Sequence, residues 1–159
     1  MILLRRTSKG TVEMVRIILS GTVVGTLSGL LLFFLLYYID AMTDIELVRL
    51  LLNIDFIYSG DVHPIMEVGL HIVTSIIIGI IFKTVYAKFF AYHLRAHVFA
   101  ALIFAGLYFL LSNIAVSPIR TDEHIGFILW MIFHVGYLQV IHLIYINQWD
   151  VYLMNKMGV

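Results

Sequence analysis

Four long stretches of this sequence are almost free of charged side chains. Within them, Glu67 is the one residue that carries a formal charge. The stretches cover residues 17–39, 62–82, 96–119 and 124–149. A helix needs about 20 predominantly apolar residues to cross the hydrocarbon core of a membrane, and each stretch is that long. The sequence therefore predicts four spanning helices, over about 16–39, 64–87, 96–117 and 124–147.

The composition argues against a water-soluble globule. Hydrophobic residues make up 62% of the 159 residues and charged residues make up 13%, whereas a soluble domain carries roughly 25% charged residues. Too few polar side chains are present to cover a surface in water. We therefore predict an all-α polytopic membrane protein, a single transmembrane domain over residues 1–159 in which a four-helix bundle contacts the lipid bilayer.

Lysine and arginine are distributed unevenly between the connections. Most of them lie before the first stretch, in the second connection or in the C-terminal tail: Arg5, Arg6, Lys9, Arg16, Lys83, Lys88, Arg95 and Lys156. Only Arg49 and Arg120 lie in the other two connections. Because basic residues are enriched on the cytoplasmic side of membrane proteins, both termini and the middle connection are predicted to be cytoplasmic.

The first external connection, residues 40–62, is longer than the closure of two adjacent helices requires. Thr43 and Glu46 have the spacing of a capping box, and apolar residues then recur at helical intervals. This pattern predicts a short external interfacial helix over about 44–53. Pro64 suits the first turn of the second spanning helix, because its missing N–H has no partner there in any case.

Small residues line one face of the first helix. Gly21, Gly25 and Gly29 form a doubled GxxxG pattern. Membrane helices associate through close backbone approach, which a ridge of small residues allows. The ridge is therefore either a face for a homo-oligomer or another membrane protein, or a groove for a second helix of the same chain.

Ionisable residues inside the apolar stretches lie on the second and fourth helices. His63, Glu67 and His71 recur every four residues and so follow one face of the second helix. His71 lies eight residues beyond His63, and His134 lies ten beyond His124. At about 1.5 Å per residue, His71 and His134 are predicted at roughly 12–15 Å below the outer surface, where they could meet.

Two interpretations of these residues involve a cofactor. A metal site would use Glu67, His71 and His134, because imidazole and carboxylate are ordinary ligands of zinc, manganese and iron. Alternatively, a haem b could be held between His71 and His134, with a second haem between His97 and His142. No spacing here matches a dedicated metal motif such as His-Glu-x-x-His.

Two further interpretations need no cofactor. In the first, the buried polar groups satisfy one another inside the bundle: Glu67, His71, Asn113 and His134. In the second, the same groups line a path for protons or a small solute.

Little in the sequence favours enzymatic chemistry or nucleic-acid binding. The chain has no cysteine, which excludes disulfides, iron–sulfur clusters and a catalytic thiol. Ten basic residues balance ten acidic ones, so the net charge does not favour nucleic acid as a partner. Because no nucleophile elbow, phosphate loop or dinucleotide fingerprint is present, no catalytic residue is assigned.

Several segments together resemble one group of bacterial proteins. They are the glycine-rich helix over 21–29, Gly69–Val73 with Gly79, 113–118, and Trp130–His134. In these parts and their order, the chain resembles small four-helix bacterial inner-membrane proteins of the YagU and YqhR type. The resemblance implies a bacterial plasma membrane, and it implies no settled activity and no catalytic residues.

These observations favour a non-enzymatic structural or accessory membrane protein. The first alternative is a metal- or haem-binding membrane protein that uses the intramembrane histidines and Glu67. The second is a small transporter or proton-path subunit, which would need several copies to enclose a path because four helices leave little interior.

Overall fold

Five α-helices and one 3-10 turn make up the described part of the chain. The computed structural model describes residues 2–54, 62–116, 118–121 and 124–157, with side chains described within 11–54, 62–116, 118–121 and 124–148. The helices are α1 (Ile2–Met42), α2 (Leu47–Leu51), α3 (Pro64–Lys88), α4 (His93–Ile114) and α5 (Ile125–Met157). The turn, Phe90–Tyr92, connects α3 to α4. Position 117, the end of the predicted third span, lies outside the described residues.

Within the described residues, four segments are long and apolar enough to cross a membrane. They are Thr11–Met42, Pro64–Lys88, Phe90–Ile114 and Ile125–Gln148. This confirms the predicted all-α fold with four spanning helices. Large apolar side chains such as Leu27, Phe99 and Leu102 are more than 60% exposed on the outside of the bundle. Apolar surfaces of this extent are unfavourable in water and are satisfied by lipid.

The glycine ridge of α1 packs against α3 of the same chain. A Cβ atom on Gly21 would lie 2.6 Å from Ile80 Cα, and one on Gly25 would lie 2.7 Å from Ile76 Cα. A Cβ on Gly29 would meet the side chain of Ser75. The two backbones therefore approach as closely as small residues permit. Because α3 covers this face, a second copy of the chain would have to use another surface.

α5 contributes several large side chains to the core, including Trp130, the largest of the fully buried ones. Trp130, Tyr137, Ile141 and Tyr145 are each at most 5% exposed, and their spacing places them on one face of the helix. The Tyr145 hydroxyl donates a hydrogen bond to the carbonyl of Gly79 at 3.0 Å. This contact ties α5 to the α1–α3 pair.

The short helix α2 is capped by a residue that the capping-box pattern did not identify. Asp40, at the end of α1, accepts hydrogen bonds from the amides of Leu47 at 2.9 Å and Val48 at 2.8 Å. Thr43 instead donates to the carbonyl of Ile39 and accepts from the amide of Ile45. The predicted Thr43 cap is therefore wrong. A carboxylate satisfies two amides at the positive end of a helix, whereas a hydroxyl satisfies one.

The apolar face of α2 is turned into the bundle. Leu47 and Leu50 have no exposed surface, and both belong to the main hydrophobic core. The helix covers Leu47–Leu51 rather than the predicted 44–53. Its apolar face therefore packs against α1 and α4, while Arg49 on the other face is exposed.

An ionic contact joins α2 to the segment before α5. The amide of Glu46 donates to the carbonyl of Arg120 at 2.8 Å, and the Glu46 carboxylate accepts from the Arg120 amide at 3.0 Å. The same carboxylate forms ion pairs with Arg49 and with the Arg120 side chain. The Arg120 amide, followed by the two arginine side chains, holds the pKa of Glu46 below its ordinary value, although partial desolvation opposes this shift.

This contact is expected to weaken in acid. Because the folded-state pKa of Glu46 is lowered, its stabilisation is complete above the carboxyl's ordinary pKa and is lost as the pH falls through the lowered value. Amide exchange at Glu46 and Arg120, corrected for the intrinsic pH effect, should accelerate in that range. Glu46→Gln should remove this pH dependence. If amide exchange depended on pH equally in the parent chain and in Glu46→Gln, this role of the Glu46 carboxylate would be contradicted.

Candidate functional site

A cavity of about 190 Å³ lies between α3, α4 and α5. Most of its wall is apolar, with Leu32 of α1 at the back and polar groups at a few positions. The polar residues that line it are Asn53, Glu67, His71, Thr74, Ser75, His134 and Tyr137. This volume exceeds the ~150 Å³ of an engineered cavity that binds benzene, and it is smaller than the ~300 Å³ at which pockets for drug-sized ligands begin.

The end of the cavity near α2 is closed by the chain that follows this helix. Leu51, Leu52 and Ile54 line the cavity there together with Asn53. The side-chain amide of Asn53 is buried and donates to the carbonyl of Leu111 on α4 at 2.9 Å. This bond fixes the covering segment to the bundle.

The cavity is open on one side of α3. Glu67, Leu70 and Thr74 line it, yet Leu70 is 39% exposed, Thr74 is exposed and Glu67 is half-buried. The aromatic contacts between α3 and α4 in the described residues lie near their connecting turn, between Phe82 and His97 and around Tyr86. The exposed lining residues Leu70 and Thr74 lie farther from that turn, at the outer surface of the bundle.

His71 is oriented by α1. Its Nε2 lies 3.1 Å from the carbonyl oxygen of Gly29. Because a carbonyl only accepts, this nitrogen carries the proton in a neutral ring and Nδ1 becomes the acceptor. In the described part of the chain, no second hydrogen bond occupies Nδ1.

His134 is the most deeply buried histidine of the site, with 3% of its surface exposed. Its Nδ1 lies 2.8 Å from the carbonyl of Trp130, one turn earlier on α5. The protonated nitrogen is therefore Nδ1, and Nε2 is the acceptor. Among the described residues, nothing donates to Nε2. The two histidines are close enough to interact electrostatically.

Aromatic side chains hold the His134 ring in place. The ring centroid lies 4.0 Å from that of Trp130 and 4.7 Å from that of Phe104. The Trp130 indole N–H donates to the carbonyl of Phe104 at 2.8 Å. Since all three residues line the cavity, α4 and α5 present a rigid aromatic wall to it.

The Tyr137 hydroxyl is a second polar group without a hydrogen bond. It is buried, and no partner of acceptable geometry exists within the described residues. The hydroxyls of Ser28 and Ser75 lie beside it without reaching that geometry. A buried hydroxyl that lacks a partner costs free energy, roughly 1–3 kcal/mol.

The predicted network among buried polar residues is wrong. Within the described part, Glu67 makes no hydrogen bond or ion pair with His71 or His134, and both histidines bond to backbone carbonyls. Asn113 donates to the carbonyl of Phe109 on the exposed side of α4. Glu67 lies in the first turn of α3, where the helix dipole favours a carboxylate.

The structure brings the three predicted metal-ligand residues to one cavity without forming a metal centre. Glu67, His71 and His134 all line it. Across the described residues, however, no group of three or more His, Asp or Glu side chains is arranged to hold a metal ion.

The second predicted haem pair belongs to a ring cluster near the α3–α4 turn. The centroids of His97 and His142 are 5.4 Å apart with their planes at 87°. His142 Nδ1 is hydrogen-bonded to the Tyr86 hydroxyl, and the His93 ring stacks on His142. With these rings in direct contact, no slot for a macrocycle separates His97 from His142 in this arrangement.

Sequence reasoning missed several residues of the site. Tyr137 and Trp130 follow the helical spacing of His134 on α5, and this period could have identified them. Ser75 continues the four-residue spacing of His63, Glu67 and His71 on α3, although the sequence analysis gave it no role. Asn53 carries no signal in the sequence, because its function depends on which carbonyl of α4 the covering segment reaches.

The fold and this cavity define the class of membrane protein to which the chain belongs. Four apolar helices, a lipid-compatible outer surface and a largely apolar interior make the chain a multi-pass integral membrane protein. The sequence matches no protein-family model, and neither the curated proteins nor the solved structures include a significant relative.

Proposed function

We propose that this protein is a non-enzymatic accessory protein of the membrane that holds a small membrane-soluble molecule in the cavity between α3, α4 and α5. One observation carries the proposal. His71 and His134 both line a largely apolar cavity, His134 is 3% exposed, and one nitrogen of each ring has no hydrogen-bond partner within the described residues. Buried polar groups normally have partners, so an unpaired set around a cavity marks a place for a ligand.

The shape of the cavity supports binding rather than conduction. Beyond Tyr137 on α5, Leu138, Ile141 and Tyr145 are at most 2% exposed and fill the core. A continuous polar lumen is therefore absent from the described part of a single copy. The opening beside Leu70 and Thr74 is suited to a molecule that enters from the bilayer.

The proposal includes a location and an orientation. We infer a bacterial inner membrane with both termini in the cytoplasm. The orientation is supported by the eight basic residues that the sequence assigns to the cytoplasmic side against two on the other. With that orientation, the cavity lies in the outer half of the bilayer.

Fluorescence of Trp130 tests the proposal directly. The chain has two tryptophans, so Trp149→Phe leaves Trp130 as the sole tryptophan, whose emission is excited selectively over that of the tyrosines. Bromobenzene quenches on contact and fits a cavity that exceeds the benzene-sized one. In detergent micelles, quenching should rise and then level off as the mole fraction of bromobenzene in the micelle increases. Thr74→Phe places a ring at the open edge of the cavity and should weaken the saturable phase.

Val73→Phe is the matched control. Val73 precedes Thr74, is 51% exposed and does not line the cavity. It should leave the saturable phase unchanged. Quenching that rises linearly, and equally in all three chains, would show that bromobenzene reaches Trp130 only through the micelle and would overturn the proposal.

A further inference from the structure

We infer that the ligand of this cavity is a neutral, hydroxyl-bearing aromatic ring of the phenol or hydroquinone class, whose hydroxyl donates to the free nitrogen of His134. The inference rests on the proposed function and specifies the ligand. It follows from which atoms of the cavity donate, which accept, and what surrounds them.

The two histidines present acceptors to the cavity. His71 directs one ring nitrogen to the Gly29 carbonyl, and His134 directs one to the Trp130 carbonyl. Each carbonyl takes the proton of a neutral imidazole, so the remaining nitrogens carry lone pairs. A ligand carbonyl or ether oxygen opposite these nitrogens would place one acceptor against another and form no hydrogen bond. A ligand hydroxyl would satisfy them.

The surroundings disfavour a cationic donor such as an ammonium group. His134 is 3% exposed and is enclosed by the rings of Trp130 and Phe104. An unpaired charge is costly in such a setting. Glu67, which among the described residues is the one carboxylate that lines the cavity, is half-buried in the first turn of α3. A neutral O–H group is therefore the donor that fits.

His71 offers a second acceptor. It lines the same cavity from α3, and its Nδ1 makes no hydrogen bond within the described residues. One hydroxyl of a ligand ring would donate to His134, and a second hydroxyl would donate to His71. The Tyr137 hydroxyl lies behind this surface, beside the hydroxyls of Ser28 and Ser75.

Volume and wall chemistry favour a single aromatic ring. The cavity measures about 190 Å³, against ~150 Å³ for a cavity that holds benzene. Phe104, Trp130 and the His134 ring offer aromatic surfaces for offset or edge-to-face contact. The lateral opening leaves room for an apolar tail on the ring to extend into the bilayer.

Three brominated probes separate this inference from the proposed function. In the Trp149→Phe chain at neutral pH, 4-bromophenol carries a donor, 4-bromoanisole carries an oxygen without a donor, and bromobenzene carries neither. We expect the dissociation constant of 4-bromophenol, expressed as a mole fraction in the micelle, to be roughly tenfold lower than those of the other two. Measured partition of each probe into empty micelles corrects for its local concentration.

Substitutions locate the effect. His134→Phe keeps an aromatic ring and removes the acceptor, so 4-bromophenol should lose its advantage while bromobenzene still binds. His142→Phe, two turns from His134 and outside the cavity, is the control and should change none of the three constants.

The outcomes are distinct. Equal affinities for the three probes in the unsubstituted cavity would overturn the inference and leave the proposed function standing. Absence of saturable quenching with any probe would overturn both. Should His134→Phe fail to fold, the comparison of 4-bromophenol with 4-bromoanisole in the parent chain still decides, because it varies the donor on the ligand alone.

Discussion

Gly25→Leu is expected to separate α1 from α3 and to be among the most destabilising substitutions in the protein. A Cβ at this position would lie 2.7 Å from Ile76 Cα and closer still to the carbonyl oxygen of Ser75. Both are backbone atoms of a helix, so a side-chain rotation cannot relieve the clash. Overpacking costs about 1–3 kcal/mol where side chains can adjust, and we expect a loss of at least about 3 kcal/mol here.

Unfolding in mixed micelles at rising denaturant concentration would measure this loss. Gly106→Leu and Gly136→Leu are matched controls, because a Cβ at either position meets nothing within 4 Å. These controls share the gain in helix propensity from glycine to leucine and differ in packing alone. If Gly25→Leu unfolds at the same denaturant concentration as the controls, the ridge faces lipid and the α1–α3 packing is incorrect.

Trp130→Ala is expected to cost about 3 kcal/mol, near the lower end of the range for buried aromatic residues. The side chain is 1% exposed, contacts the rings of His134 and Tyr108, and donates a hydrogen bond to the Phe104 carbonyl. Lipid is as apolar as the protein interior, so the loss comes from packing and the hydrogen bond rather than from transfer to water.

Two comparisons test that account under the same unfolding conditions. Phe99→Ala removes an aromatic side chain that is 65% exposed on α4 and should change stability by under about 1 kcal/mol. Trp130→Phe retains a ring and should recover more than half of the loss. A Trp130→Ala chain as stable as the Phe99→Ala chain would mean that the α4–α5 wall is not a packed interface.

These two substitutions probe different interfaces. The α1–α3 contact depends on the absence of side chains, because glycines allow two backbones to touch. The contact between α4 and α5 depends on large rings that interlock and hydrogen-bond across the gap. The cavity lies beside Glu67, Leu70 and Thr74 of α3. At these residues α3 has neither the close backbone contact of the glycine ridge nor the interlocking rings of the α4–α5 contact.

Much of the architecture was predictable from the residues alone. Apolar stretches of spanning length are sufficient to define four helices, because unpaired backbone groups are too costly in hydrocarbon for other structures. The rise per residue also predicted that His71 and His134 lie at similar depths, and both line one cavity. These properties belong to single helices and need no knowledge of their neighbours.

The hydrogen-bonding partners of the site were not predictable in the same way. The sequence marked Glu67, His71, Asn113 and His134 as polar residues that needed partners. It could not indicate that Gly29 and Trp130 offer carbonyls to the two histidines, or that Asp40 reaches the amides of α2. Every residue has a backbone carbonyl, so the identity of a residue does not indicate whether its carbonyl is free to accept a hydrogen bond from a side chain.

The amino-acid sequence by itself determined the solvent, the number of spans and the depth of each polar residue, since hydropathy and helical rise act along one chain. Tertiary structure alone decided that the ridge of Gly21, Gly25 and Gly29 contacts α3, and that His134 and Tyr137 keep unpaired atoms beside a cavity. The physical reason is that the sequence does not define how each helix is rotated about its own axis. Helical period defines which residues share a face, and only packing against other helices selects what that face meets.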